Sequence, residues 1–169
     1  RYVPDEILAL RAREGVTFSH CVPTILQMLL LAPSGRDMDL SGWKMVIGGS
    51  ALTAGLATQA VARGLDLFTG YGMSETCPIL TLAQLRPEEL ALPPEQSVPA
   101  RCRTGLPLPL VDLRVVGADL EEVPHDDQAQ GEVVVRAPWL TQGYAKHPEA
   151  TAQLWAGGWL HTQCTPRRA

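Results

Sequence analysis

The chain has 169 residues, a net charge of −4 at pH 7, a hydrophobic fraction of 46% and a charged fraction of 19%. This length suffices for one domain with a sizeable core, and the charge pattern excludes the basic surface of a nucleic-acid-binding protein. We therefore predict no nucleic-acid partner. No apolar segment approaches the roughly 18 residues that a membrane-spanning helix needs, so we also predict no membrane span.

The first half of the sequence alternates between predicted helices and predicted strands. Helices are expected at residues 4–14, 23–32 and 53–63, and strands at 16–19, 44–47 and 65–68. This alternation is typical of an α/β fold, in which crossover helices connect the strands of a parallel-rich sheet. Ligands of such sheets bind at the carboxyl ends of the strands, where the glycine-rich segments 48–51 and 70–72 fall.

The second half is predicted to be rich in β-structure. Residues 85–99 contain four prolines and are expected to form a surface connection with one helical turn. Strands are predicted at 111–116 and 131–136, a pairing segment at 120–123, a turn at 104–109, and a helix at 148–155 that Gly157 and Gly158 end. We therefore divide the chain into an α/β subdomain (1–99), a β-rich subdomain (100–162) and a tail (163–169).

The cysteines and histidines are scattered and do not indicate a zinc site. The four cysteines form no CxxC pair, and reduced thiols are typical of a cytoplasmic protein, which is the location that we predict. Cys77 has no histidine near it in the sequence. We therefore interpret Cys77 as a small buried residue that lines a pocket, rather than as a nucleophile.

The residue types that could carry chemistry are concentrated in Gly-Tyr-Gly-Met-Ser-Glu-Thr at 70–76. Two glycines allow a sharp turn and a close approach of the backbone to a ligand. Tyr71 could stack on a flat base, and the hydroxyls of Ser74 and Thr76 could bind phosphate oxygens. Glu75 could hold Mg²⁺ together with phosphate and water. The residues indicate a nucleotide site, although an ordinary turn with a solvated glutamate would have the same residues.

This segment resembles the nucleotide signature of the adenylate-forming superfamily, which includes acyl-CoA synthetases, luciferases and the adenylation domains of peptide synthetases. The usual form there is Tyr-Gly-Met-Thr/Ser-Glu. The resemblance implies that Tyr71 stacks on adenine and that Ser74 and Glu75 are the catalytic residues. Ser74 would contact the AMP phosphate, and Glu75 would ligate Mg²⁺.

Further cofactor-binding residues follow from the same resemblance. Gly70, Gly72 and Met73 would complete the nucleotide-binding segment around Tyr71 and Ser74. Gly49, Ser50 and Ala51 occupy the turn that in this superfamily runs alongside the adenine and the acyl chain.

Later segments match the same superfamily in order. Residues 104–109 resemble the turn that opens its small antiparallel β-barrel-like subdomain, and 131–136 resemble its Gly-Glu-Leu-x-x-Arg-Gly strand. Residues 143–162 follow its Gly-Tyr, Pro-Glu-Ala-Thr and Gly-Trp-Leu-His-Thr segments. Residues 22–24, 72–78 and 137–144 are most similar to the medium- and long-chain fatty-acid-CoA ligases.

The resemblance implies a two-step reaction. ATP and a carboxylate form an acyl-adenylate and pyrophosphate, and the CoA thiol then displaces AMP. The expected cofactors and partners are therefore ATP or AMP, Mg²⁺, CoA and a fatty acid.

The phosphate loop and the catalytic lysine of the superfamily have no counterpart in these residues, so we expect no turnover by this chain alone. Two alternatives stay open. One is a non-catalytic remnant that acts as a binding or scaffold protein. The other is an adenylate-forming enzyme with an aryl or amino-acid substrate.

The match ends abruptly after Thr162. The superfamily continues there with Gly-Asp, whose aspartate grips the ribose hydroxyls, whereas this chain has Gln163 and Cys164. Our hypothesis is a truncated or frame-shifted segment from Thr162 onward. Sequencing the coding DNA tests it, because a shifted frame must restore Gly-Asp if the hypothesis is correct.

The sheet would also lack the strands that precede this region in the superfamily. An unpaired sheet edge favours association between copies, so we expect the chain to self-associate. Light scattering at high concentration measures the oligomeric state, and a clean monomer there would contradict the expectation.

Overall fold

The computed structural model describes residues 2–126 and 128–166. The chain divides into two compact units. The first unit consists of Arg1–Tyr71 and Thr81–Leu106, and the second of Gly72–Leu80 and Pro107–Ala169. The predicted subdomains 1–99 and 100–162 stay a prediction.

The predicted fold class is confirmed. A five-stranded sheet has the order β1-β2-β3-β4-β5, and its β1–β2 and β2–β3 pairs are parallel. A three-stranded sheet, β6-β7-β8, is antiparallel. The elements are α1 (Pro4–Glu14), β1 (Phe18–Cys21), α2 (Pro23–Leu31), β2 (Lys44–Ile47), α3 (Ala54–Val61), β3 (Asp66–Gly72), β4 (Ile79–Leu82), α4 (Pro87–Leu90), α5 (Val98–Arg101), β5 (Leu106–Pro107), β6 (Asp112–Val116), β7 (Glu132–Arg136), α6 (Pro148–Leu154) and β8 (Leu160–His161).

The first helices begin and end where their capping residues predict. Helix α1 starts at Pro4 with acidic residues in its first turn, and it ends at Gly15, whose φ of 62° is left-handed. Helix α3 follows Thr53, whose hydroxyl accepts a hydrogen bond from the Leu56 amide at 3.4 Å. Both helices therefore confirm the sequence prediction, apart from the last turn of α3.

The core of the first unit is formed by buried side chains of α1, α2 and α3 together with every second side chain of strand β2. Met45 and Ile47 of β2 are buried, whereas Lys44 is exposed, as the two-residue period of a strand requires. Cys21 at the end of β1 lies beside Met45, and burial raises the pKa of its thiol to about 11.

Arg101 anchors helix α5 to strand β3. Its guanidinium donates hydrogen bonds to the Asp66 carboxylate at 2.7 Å and to the Leu67 carbonyl at 2.9 Å. The segment before α5 contains α4 and a 3₁₀ turn, and Ser97 at the end of that turn is buried. The prediction of a surface connection at 85–99 was therefore wrong in part, because this segment supplies buried residues to the first unit.

In the second unit, strand β7 lies between β6 and β8, and Val134 is fully buried. Trp159 packs beside it with two guanidinium groups near its ring, Arg136 at 4.0 Å and Arg114 at 4.6 Å. Arg136 also donates to the Gly158 carbonyl at 2.8 Å. These contacts stabilise the return of the chain into β8.

The described part of the predicted tail, residues 163–166, lies along β7. The Val133 amide donates to the Cys164 carbonyl at 2.9 Å, and the Gln163 amide donates to the Glu132 carboxylate at 2.8 Å. Residues 167–169 of the predicted tail lie outside the described residues.

Three strands differ from the prediction. Strand β1 begins two residues later than expected, at Phe18. Strand β4 was missed because Leu80 and Thr81 are both buried, so the alternation that marks a strand is absent. Strand β5 occupies part of the predicted turn at 104–109, and the predicted pairing of 120–123 is confirmed by a bridge between Val116 and Glu122.

Strand β3 also continues further than predicted. Gly70 and Gly72 belong to the strand, so the turn expected at 70–72 was wrong, and the chain turns at Ser74–Thr76 instead. At Gly72 the backbone closely approaches another part of the chain itself, and the predicted close approach to a ligand stays a prediction. A Cβ atom on Gly72 would lie 1.7 Å from the Pro78 carbonyl oxygen.

We therefore expect Gly72→Ala to lower the free energy of unfolding by about 3 kcal/mol or more, because the methyl group meets fixed backbone. Urea denaturation measures this change. Gly55→Ala is the matched control, since a Cβ at this position in α3 meets nothing within 4 Å. The control should be neutral or stabilising by up to about 1 kcal/mol, and equal effects of the two substitutions would contradict the analysis.

Candidate functional site

In the first unit, the ends of three parallel strands bring the predicted glycine segments together. A Cβ atom on Gly48 would lie 3.3 Å from the Gly70 carbonyl oxygen and 3.4 Å from Nε2 of His20. Gly49 follows with a φ of 81°, and a Cβ there would lie 3.1 Å from Val22. The space beside Gly48 is therefore filled by the neighbouring strands, and Gly48 itself is buried, whereas Gly49 is exposed.

The predicted ligand contacts in this unit differ in their exposure. Gly49, Ser50 and Ala51 are exposed, and Gly70 and Tyr71 are half-buried. His20 was not singled out by sequence reasoning, because it is one of four scattered histidines. Its position at the end of β1 could have been inferred only from the strand register.

In the second unit, Thr76 holds the turn that carries Ser74 and Glu75. Thr76 is fully buried, and its hydroxyl accepts from the Met73 amide at 2.9 Å and donates to the Pro78 carbonyl at 2.5 Å. The expectation that Thr76 could bind phosphate was therefore wrong, because the turn itself uses the hydroxyl. Ser74 is exposed, and Met73 is half-buried.

Glu75 is held at its backbone and at its side chain by the segment Thr141–Tyr144. The Thr141 amide donates to the Glu75 carbonyl at 2.9 Å, and the Tyr144 hydroxyl donates to Oε1 of Glu75 at 2.7 Å. This hydrogen bond to the carboxylate raises the pKa of Tyr144, with smaller contributions from desolvation and from the negative charge of Glu75.

The segment that holds Glu75 is itself fixed by helix α6 and by Trp155, the residue that follows it. The Tyr144 amide donates to the Thr151 hydroxyl at 2.9 Å, and the Trp155 indole donates to the Thr141 carbonyl at 3.1 Å. A Cβ on Gly143 would lie 2.4 Å from the Thr151 side chain, so glycine is required there. Sequence reasoning quoted Gly143 and Tyr144 as part of a matching segment and missed the contact of Tyr144 with Glu75.

The Glu75 carboxylate fits a metal ion whose other ligands come from a bound phosphate and from water. Within residues 2–126 and 128–166, no group of three or more histidine, cysteine or acidic side chains could hold a metal ion. Glu75 offers a single half-buried carboxylate, of which Tyr144 contacts one oxygen. Mg²⁺ is commonly bound in this way, through one or two carboxylates with the remaining ligands from phosphate and water.

Cys77 differs from its prediction. It is exposed, not buried, and its φ of 55° places it at the left-handed end of the Ser74–Thr76 turn. Lys44 and Lys146 are exposed, as expected for surface residues. Among the described residues, no helix has the length and apolar character needed to cross a membrane.

Comparison with known proteins identifies similar sequences and folds. The family model for the AMP-binding enzyme matches residues 1–145. A long-chain-fatty-acid–CoA ligase of Thermus thermophilus is 35% identical over 89% of this chain and 28% of its own length. A feruloyl-CoA synthase of an Amycolatopsis species is 34% identical over 94% of this chain and 30% of its own length.

A solved structure gives the same picture of the fold. The N-terminal domain of FACL13 from Mycobacterium tuberculosis aligns with a TM-score of 0.81 and 23% identity, over 99% of this chain and 40% of that one. The chain thus spans less than a third of the length of the two curated relatives.

Proposed function

Because this chain belongs to the AMP-binding enzyme family, we propose that it forms part of an ATP-dependent acyl-CoA ligase whose acid substrate is a fatty acid. The carboxylate attacks the α-phosphorus of ATP, which gives an acyl-adenylate and releases pyrophosphate. The CoA thiolate then attacks the acyl carbon and releases AMP, so the acid becomes a thioester.

The observation that carries this proposal is the meeting of two glycine segments at the ends of β2 and β3. A Cβ atom on Gly48 would contact the Gly70 carbonyl oxygen, so the two segments are neighbours. The exposed residues Gly49, Ser50 and Ala51 and the half-buried Tyr71 therefore follow adjacent strands. We assign adenine stacking to Tyr71, and contact with adenine and the acyl chain to Gly49, Ser50 and Ala51. We assign to Gly70 a close contact between its backbone and the nucleotide.

The second unit supplies the groups that we assign to the phosphate and the metal. The exposed Ser74 hydroxyl can donate to an AMP phosphate oxygen, and the backbone of Gly72 and Met73 leads into this turn. Glu75 would hold Mg²⁺, which when bound disperses the negative charge of the phosphates. The carboxylate suits this role because the chain already fixes its orientation.

We propose ligand binding, and not turnover, for these residues alone. Transfer of the adenylyl group needs a phosphate-binding loop and a lysine, which stabilise the developing charge. No segment within residues 1–169 resembles the superfamily's phosphate loop or the segment that carries its catalytic lysine. Lys44 and Lys146 are both exposed.

An aryl acid is the second candidate substrate. The feruloyl-CoA synthase is 34% identical to this chain, and the fatty-acid ligase is 35% identical, so similarity alone does not separate the two acids. We favour the fatty acid because residues 22–24, 72–78 and 137–144 are most similar to fatty-acid-CoA ligases.

Calorimetric titration of the 169-residue chain with a non-hydrolysable fatty-acyl-adenylate analogue tests the proposal. We expect saturable binding that strengthens when Mg²⁺ is added. A feruloyl-adenylate analogue measured in parallel identifies the acid, because the matching acyl group should bind more tightly. Absence of binding by both analogues would overturn the proposal and favour a non-catalytic scaffold.

Substitution of Tyr71 tests the stacking role. Tyr71→Ala should weaken binding of the analogue by about 1–2 kcal/mol, because it removes the ring. Tyr71→Phe is the matched control, since it keeps the ring and removes only the hydroxyl, and it should retain most of the affinity. Unchanged affinity in Tyr71→Ala would refute the assignment.

A further inference from the structure

We infer that Tyr144 is a positioning residue that orients the Glu75 carboxylate toward a nucleotide-bound metal ion. This inference rests on the metal-binding role proposed above for Glu75. It goes beyond that role, because it assigns a function to a side chain that lies 69 residues away in the sequence.

The geometry indicates that Tyr144 orients the Glu75 carboxylate, and that this hydrogen bond is more than an incidental surface contact. The Tyr144 hydroxyl donates to Oε1 of Glu75 at 2.7 Å, a short distance typical of a donor to a charged acceptor. The Glu75 backbone is fixed separately by the Thr141 amide at 2.9 Å. Two contacts from one segment therefore restrict both the position of the residue and the rotation of its side chain.

Tyr144 occupies one lone pair of one carboxylate oxygen, so Oε2 stays available to a cation. A carboxylate with a fixed orientation loses less conformational entropy when it binds a metal ion than one that rotates freely. Outer hydrogen-bond partners of metal ligands commonly change metal affinity by about 10–100-fold when they are removed.

The tyrosine is itself held before any ligand arrives. Its amide donates to Thr151 in α6, and the Thr151 hydroxyl also contacts the His147 carbonyl at 2.9 Å. Tyr144 is 40% exposed, so water competes for its hydroxyl. We therefore expect an effect at the lower end of the range, about tenfold.

The test compares binding of a non-hydrolysable ATP analogue with and without Mn²⁺, an EPR-visible substitute for Mg²⁺. In the intact 169-residue chain, Mn²⁺ should increase the affinity for the analogue. Tyr144→Phe should reduce the affinity for the Mn²⁺ complex about tenfold, and it should leave the affinity for the metal-free analogue unchanged. Tyr2→Phe, at an exposed tyrosine outside the site, is the matched control.

Glu75→Gln separates the possible outcomes. It should abolish the increase caused by Mn²⁺, and Tyr144→Phe should then have no further effect in that background. If Glu75→Gln acts and Tyr144→Phe does not, the positioning role is wrong and the proposed function stands. If Mn²⁺ has no effect in the unsubstituted chain, the metal role of Glu75 fails and this inference fails with it.

Two other results would also overturn the inference. Equal weakening of both the Mn²⁺ complex and the metal-free analogue by Tyr144→Phe would indicate a structural role only. Tighter binding of the Mn²⁺ complex by this variant would mean that the hydroxyl competes with the metal ion for Glu75.

Discussion

The backbone at Gly72 lies against the Pro78 carbonyl, and this close approach determines the geometry of the signature. A methyl group at this position would overlap the carbonyl oxygen, at 1.7 Å. The chain must then reverse direction within Met73–Cys77. The buried Thr76 hydroxyl forms hydrogen bonds with Met73 before this turn and with Pro78 after it. Because Thr76 points inward, Ser74 stays exposed and Glu75 stays half-buried. The glycine thus constrains which side chains of the turn a ligand can reach.

Prediction from the sequence succeeded where the signal is local. Proline at the start and glycine at the end marked α1, and Thr53 marked the start of α3. It failed where local signals conflict with pairing. Two glycines predicted a turn at 70–72, but hydrogen bonding within the sheet extends β3 through them, and the buried pair Leu80 and Thr81 concealed β4.

The site was predicted unevenly for the same reason. Tyr71, Ser74 and Glu75 follow one another in the chain, so a short motif suffices to suggest them. The Tyr144 contact with Glu75 joins positions 69 residues apart, and no periodicity or spacing encodes it. Likewise, His20 is beside Gly48 only because β1 and β2 pair in a particular parallel register. Contacts of this kind follow from strand pairing and loop packing, and one sequence contains no local trace of them.

The contacts around Glu75 bear on the metal role that we propose for this single carboxylate. A lone, freely rotating glutamate binds Mg²⁺ poorly, because the cation keeps most of its water and the side chain loses rotational freedom. Here the backbone contact from Thr141 and the side-chain contact from Tyr144 restrict that freedom before binding. Both contacts depend on Thr151 of α6 and on Trp155, the residue that follows this helix. Glu75 and the residues that orient it therefore belong to one compact unit. The metal role proposed for Glu75 thus depends on the β-rich segment as much as on the signature itself.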